Sequence, residues 1–179
     1  MQRRIFTLAA PLLMAGFVLN GCVSEQRYDQ LQQAYTQLQA RYTADEATIQ
    51  MLQGRLKVTM TDRVLFSSGG YRIDARARET LLKMVPTLQG LTNTRVIVEG
   101  YTDTTPVGAE LRREGISSNL DLSSRRADTV ADVLIAGGVP RTIVSADGRG
   151  EANPVAPNDT PAGRAQNRRI EVTLVGPGN

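Results

Sequence analysis

From Tyr28 onward, apolar residues recur in alternating steps of three and four: Tyr28, Leu31, Tyr35, Leu38 and Tyr42, then Asp45, Ile49, Leu52 and Leu56. All but Asp45 are apolar or aromatic, and the residues between them are rich in Gln, Arg, Thr and Ala. The run has no Pro, and its only Gly, Gly54, lies near the end. The spacing therefore predicts a long helix over 25–56 with a coiled-coil seam. At 1.5 Å per residue it would span about 48 Å. Such a 22–56 spacer would lift the following domain and, by self-association into a homo-oligomer, present two or three copies together. The competing reading of the same stripe is an amphipathic helix packed on its own domain.

Beyond residue 57 the pattern changes. Val58, Met60, Val64 and Phe66 alternate as in a strand, with Asp62 interrupting as a turn or bulge, and Ser67-Ser68-Gly69-Gly70 closes the stretch as a loop. Asp74 can cap a helix over 75–89 with Leu81, Val85 and Leu88 inward, which Pro86 should kink or end early. A second strand is expected over 95–101. After a long loop, Ser123 is a plausible N-cap for a helix carrying Ala127, Val130, Ala131 and Leu134, stopped by Gly137-Gly138. Strands over 143–146 and 169–175 follow, separated by a stretch rich in Gly, Asn and Pro. This order predicts an α/β fold, a two-layer domain over 57–179 with helices on one small mixed sheet, preceded by the long N-terminal helix.

The chain begins differently. Arg3-Arg4 precedes an apolar run from Ile5 to Leu19 broken by Thr7, Pro11 and Gly16. A membrane-crossing helix needs roughly 20 apolar residues, so 1–21 reads as an export signal. It ends in Leu19-Asn20-Gly21-Cys22, which resembles a bacterial lipobox and implies lipidation of Cys22. One acyl chain binds a membrane only marginally, whereas the several chains of a bacterial lipoprotein hold permanently. Val23 stands where such proteins carry Asp for inner-membrane retention, so the resemblance implies an outer-membrane protein facing the periplasm. The other reading is an uncleaved anchor with an incidental thiol.

With 179 residues, 41% apolar and 22% charged, the chain can hold one globular domain and some extra. Its formal charge is +3, but two of its 21 basic residues lie in the leader, so 19 remain against 18 acidic ones. No electrostatic case for a nucleic acid survives that count. The absence of His and the single Cys exclude His-dependent triads, His-based metal sites and an internal disulfide. No cofactor and no enzyme activity are expected. A wall hydrolase would have to work with acids alone, Asp103 and Glu151 for instance.

Two features break local rules. Arg125 and Arg126 fall in the first turn of the helix predicted after Ser123, where the dipole disfavours a cation and unpaired amides favour an anion. Arg125 fits a solvent-facing role and Arg126 a binding site. Asp103, in Thr102-Asp103-Thr104-Thr105-Pro106, lies at the carboxyl end of a strand, where α/β folds commonly bind ligands. A cation and an acid side by side suit a zwitterion.

Four ordered segments carry a resemblance. Gly100-Tyr101-Thr102-Asp103, Asn119-Leu120-Asp121-Leu122-Ser123-Ser124-Arg125-Arg126-Ala127, Gly150-Glu151-Ala152-Asn153-Pro154-Val155 and Gly163-Arg164-Ala165-Gln166-Asn167-Arg168-Arg169-Ile170-Glu171-Val172 are similar to motifs of the OmpA C-terminal-like (OmpA/MotB/Pal) peptidoglycan-binding domain. The likeness covers 58–175. It implies non-covalent binding of the peptidoglycan peptide stem through diaminopimelate, whose side chain carries an ammonium and a carboxylate on one carbon. Asp103 would take the ammonium. Arg126 and the amides at its helix start would take the carboxylate, with Asn119 and Arg168 completing the pocket and Thr102 nearby. Such a protein would tether the outer membrane to the wall. Loop 106–118 is longer than in many members, which allows a lid or a partner surface, and Ser67-Ser68-Gly69 replaces a frequent acidic residue. The alternative is a signalling or assembly lipoprotein that binds a periplasmic or inner-membrane protein, with wall binding as regulation.

Overall fold

The computed structural model describes residues 20–67 and 69–176. The expected leader, from Met1 through residue 19, lies outside the described residues. Helix α1 (Asn20–Arg41) carries the first part of the apolar stripe. Leu31, Ala34 and Leu38 are buried in the same core as the sheet, as is Tyr42 just beyond the helix, while Tyr28 is exposed. The Tyr42 hydroxyl donates to the Thr80 carbonyl at 2.8 Å, and the Thr87 hydroxyl donates to Gln37 at 3.1 Å. The stripe is thus covered by its own chain, so the seam expected for a coiled coil is occupied within one copy.

The helix also ends fifteen residues before residue 56, and the 25–56 expectation is corrected there. Thr43 turns the chain by donating its amide (3.0 Å) and hydroxyl (3.2 Å) to Glu46. Strands β1 (Thr48–Leu52) and β2 (Arg55–Thr61) then pair antiparallel. Gln53 and Gly54, with φ of 45° and 74°, make the two-residue connection, since positive φ at both positions matches the twist of a hairpin. Ile49 and Leu56 fit a seven-residue repeat only by coincidence. Leu56, Val58 and Met60 share the buried face of β2, whereas the seam residue Leu52 is exposed.

Short helix α2 (Asp62–Leu65) follows β2 directly. Asp74 caps α3 (Ala75–Leu82) by accepting from the Ala77 amide, and Pro86 sits at the start of α4 (Val85–Gln89), so the expected break falls beside the proline. Strand β3 (Arg95–Tyr101) has its expected bounds. Then come α5 (Ala109–Arg113), α6 (Asn119–Ala136), β4 (Val144–Gly148), α7 (Pro161–Asn167) and β5 (Arg169–Val175). The five strands form one mixed sheet in the order β1-β2-β5-β3-β4; only β3 and β4, joined through α6, run parallel. Leu56, Val96, Val98, Val172 and Leu174 face Leu81, Leu88, Val130 and Leu134 in the core. Each such burial stabilises by about 1.5–3 kcal/mol. The two-layer α/β expectation holds.

Two glycines set how the layers meet. A Cβ at Gly100 would overlap the Ser123 carbonyl, and one at Gly148 would overlap the Ser124 hydroxyl. Their absence of side chains lets α6 press against the ends of β3 and β4. Fully buried Ser123 then accepts from the Gly150 amide at 2.8 Å. Ser123 is therefore not the cap. Ser118 is, in a capping box with Asp121, so α6 starts at Asn119.

Candidate functional site

The loop after β3, the first half of α6, α2 and the end of α7 enclose a cavity of about 730 Å³. Asp103, Thr102, Asn119, Arg126 and Arg168, the residues expected from the sequence, all line it. Asp62, which had been read as a turn former, lines it too. Phe66, Val107, Leu111 and Leu122 give it an apolar wall. Val107 and Leu111 come from loop 106–118, and with Ile116 and Leu122 they form a small apolar cluster of their own. The lengthened loop is thus built into the cavity.

Asp103 is 4% exposed. Its Oδ1 accepts from the Thr105 amide at 2.8 Å and its Oδ2 from an Arg168 Nη at 2.6 Å. Burial pushes this carboxyl up, but Arg168 and Thr105 outweigh it and hold the group below the usual carboxylate range. Arg168 also donates from Nε to Asp62 Oδ2 at 2.8 Å. Burial works against its charge, yet the bonds to both acids raise its pKa.

Arg126 is 2% exposed and lies eight residues into α6, in its second turn. The expected placement at the helix start, with ligand-binding amides around it, is corrected, because the Ser118 cap moves that start one turn earlier. The physical case for the arginine is different and concerns its burial. Its Nε donates to the Gly70 carbonyl at 2.8 Å, its guanidinium stacks 5.1 Å from the Phe66 ring centre, and one Nη lies 3.8 Å from Asp62. The other Nη has no hydrogen-bond partner. Burial above all depresses its pKa, which Asp62 partly offsets. A buried guanidinium stays charged, and leaving it under-compensated costs several kcal/mol. Arg125 is exposed beside Tyr71 and off the cavity, in line with its solvent-facing reading.

Thr102 Oγ1 and Asp62 Oδ1 are likewise buried without a partner. Asn119 braces the rim, donating to the Asp103 carbonyl at 3.2 Å and to Glu151 at 3.3 Å. Glu151 itself is exposed and does not line the cavity.

The last motif divides by direction. Asn167, 1% exposed, binds the backbone of Val155 and Ala156 and the side chain of Asn158. Arg169 pairs with Glu171 at 2.7 Å and lies 3.8 Å over Tyr101. Arg168 turns to the cavity, with Ala165 beside it. Asp62 was missed although a signal existed: it continues the inward parity of Val58 and Met60, and an acid on a buried parity needs a cation. Among the described residues no acidic or sulfur cluster could hold a metal, and no helix is long and apolar enough to cross a membrane.

An α/β domain holding paired opposite charges in one cavity is the class these features define. A model of the OmpA family matches residues 65–168, more than half of the sequence, and the chain belongs to that family. A protein of Escherichia coli K12 named "Probable lipoprotein YiaD" is 38% identical over 117 residues, 65% of this chain and 50% of its own length. The peptidoglycan-binding protein ArfA of Mycobacterium tuberculosis is 36% identical over 123 residues, 69% of this chain and 35% of its own. The chain thus spans half the length of the first relative and about a third of the second. Among solved structures, the cell wall anchor of the T6SS from Pseudomonas aeruginosa superposes with a TM-score of 0.71 at 31% identity, covering 80% of this chain and 96% of that one.

Proposed function

We propose that the chain binds peptidoglycan non-covalently through diaminopimelate in the peptide stem, and so ties the outer membrane to the wall without catalysing any reaction on it. The observation that carries this reading is Arg126, 2% exposed, with a guanidinium nitrogen lacking a partner in the same cavity as Asp103. The stem's side-chain carboxylate satisfies the arginine, and its ammonium meets Asp103. Asn119 keeps the rim in shape, and the unpartnered Thr102 hydroxyl lies beside the ligand. The relatives named as a peptidoglycan-binding protein and a cell wall anchor support the same class of ligand. Lipid on Cys22, as the lipobox resemblance and the relative named as a lipoprotein suggest, supplies the membrane end.

Each charge-assisted hydrogen bond contributes about 1.5–3 kcal/mol net. Two or three of them, reduced by ordering costs, give dissociation constants of roughly micromolar to millimolar. A lattice of identical stems compensates through high local concentration.

The test is retention on purified sacculi and titration with a soluble stem peptide. Arg126→Ala and Asp103→Asn should each weaken binding about tenfold or more while leaving the fold cooperative. Unchanged retention in both would overturn the assignment.

A further inference from the structure

The charges of the cavity form a chain: Arg126 at 3.8 Å from Asp62, Asp62 at 2.8 Å from Arg168, and Arg168 at 2.6 Å from Asp103. Within this chain two acids balance two guanidinium groups, and exposed Arg63, which also lines the cavity, adds a further positive charge. Three members are at least nine-tenths buried: Asp62 at 7%, Asp103 at 4% and Arg126 at 2% exposed. The Arg168 side chain, 29% exposed, is the one with solvent beside it. It also holds the position on Asp103 that an incoming ammonium needs, since Thr105 occupies the other oxygen.

A ligand ammonium therefore meets a carboxylate already paired with a guanidinium. Adding a lone cation would put a further uncompensated positive charge into partly desolvated surroundings, which is costly. A ligand that brings its own carboxylate adds no net charge. Arg168 reaches Asp62 through Nε and Asp103 through Nη, so one bond can persist while the other changes partner.

Resting on the diaminopimelate reading above, we propose that Arg168 is the specificity-determining residue of the site, a displaceable counter-ion. On binding it keeps Asp62, cedes Asp103 to the stem ammonium, and turns its freed nitrogen onto the stem carboxylate beside Arg126. A stem ending in lysine displaces Arg168 and offers it nothing in return. Discrimination between the two stems thus lies in the exchange, and Arg126 provides only part of it.

The experiment titrates the full chain with two soluble probes, Ala-γ-Glu-diaminopimelate and Ala-γ-Glu-Lys, by calorimetry. Wild type should prefer the first by about tenfold or more, the scale of one lost charge-assisted bond. In Arg168→Met the preference should shrink to about threefold or less, with the lysine peptide bound more tightly than by wild type. A gain of binding cannot come from a misfolded chain. Retention of the wild-type preference, or loss of both peptides from a cooperatively folding variant, overturns the proposal. Should Arg168→Met not fold, nitrogen NMR of wild type decides. The Nη signals of Arg168 should shift on saturation with the diaminopimelate peptide while Nε–H stays bonded, and unmoved Nη signals overturn the exchange. Failure of wild type to bind either peptide would instead overturn the diaminopimelate reading itself.

Discussion

At the residue scale the site rests on buried charge. Asp62 holds two guanidinium groups together, and Asp62→Asn leaves both facing a neutral amide. Because Arg168 is partly solvated, the loss should be about 1–3 kcal/mol, read as a lower urea midpoint with unchanged slope. Acid is a second probe. Asp103 and Glu171 both titrate below their ordinary range; in Glu171 burial acts upward but Lys57 and Arg169 prevail. A group with a depressed folded pKa contributes stability that is complete above its unfolded value, near pH 4, and disappears as pH falls through the folded one. With no histidine in the chain, stability should be flat from about pH 5 to 8 and fall below about pH 4. Asp103→Asn should make that fall shallower in acid titrations followed by circular dichroism. Asp103 and Arg126 were legible because a charge in a hydroxyl-rich loop or near a helix start is conspicuous in one dimension, and Arg168 through the family resemblance alone. Asp62 was not, because a lone acid at a strand end also fits a turn, and only its partners, 64 and 106 residues away, distinguish the two.

At the element scale, the close approach of α6 to the sheet depends on positions without a side chain. Gly100→Ala forces α6 away from β3 by setting a methyl against backbone, and overpacking of this kind costs about 1–3 kcal/mol. A lower thermal midpoint with weakened stem binding is expected, since Asp103 lies in the loop that leaves β3 and Arg126 sits on α6. Gly90→Ala, off the cavity and with only ordinary contacts around an added methyl, is the control and should change neither. Strands Arg95–Tyr101 and Arg169–Val175 were legible to the residue because apolar residues recur at every second position through most of each, whereas β2 was read as running on through Val64 and Phe66, which lie in and just after α2. Ser123 misled as a cap because Ser is favoured at caps, whereas here its hydroxyl accepts from Gly150 and the serine five residues earlier carries the capping box. Helices α5 and α7 are five and seven residues long, too short to show a period, and Pro161 with Gly163 in α7 reads locally as loop.

At the scale of the whole molecule, α1 and the β1–β2 hairpin belong to the folding unit. Leu38→Ala should cost about 2–5 kcal/mol in global unfolding, as for any core leucine; a detached spacer would leave the unfolding free energy of the domain unchanged. A chain beginning at residue 57 loses Leu31, Leu38 and Leu56 from the core and should no longer melt cooperatively, whereas one beginning at residue 20 should. A heptad count could not separate these cases, because a helix on its own domain and a helix on a twin bury the same stripe. The covered stripe also fixes mechanics. With lipid on Cys22, only nine residues, about 14 Å of helix, separate the bilayer from the first packed leucine. The protein is then a rivet and not a rope: pulling membrane and wall apart finds little slack to pay out and loads the contacts between α1 and the sheet directly.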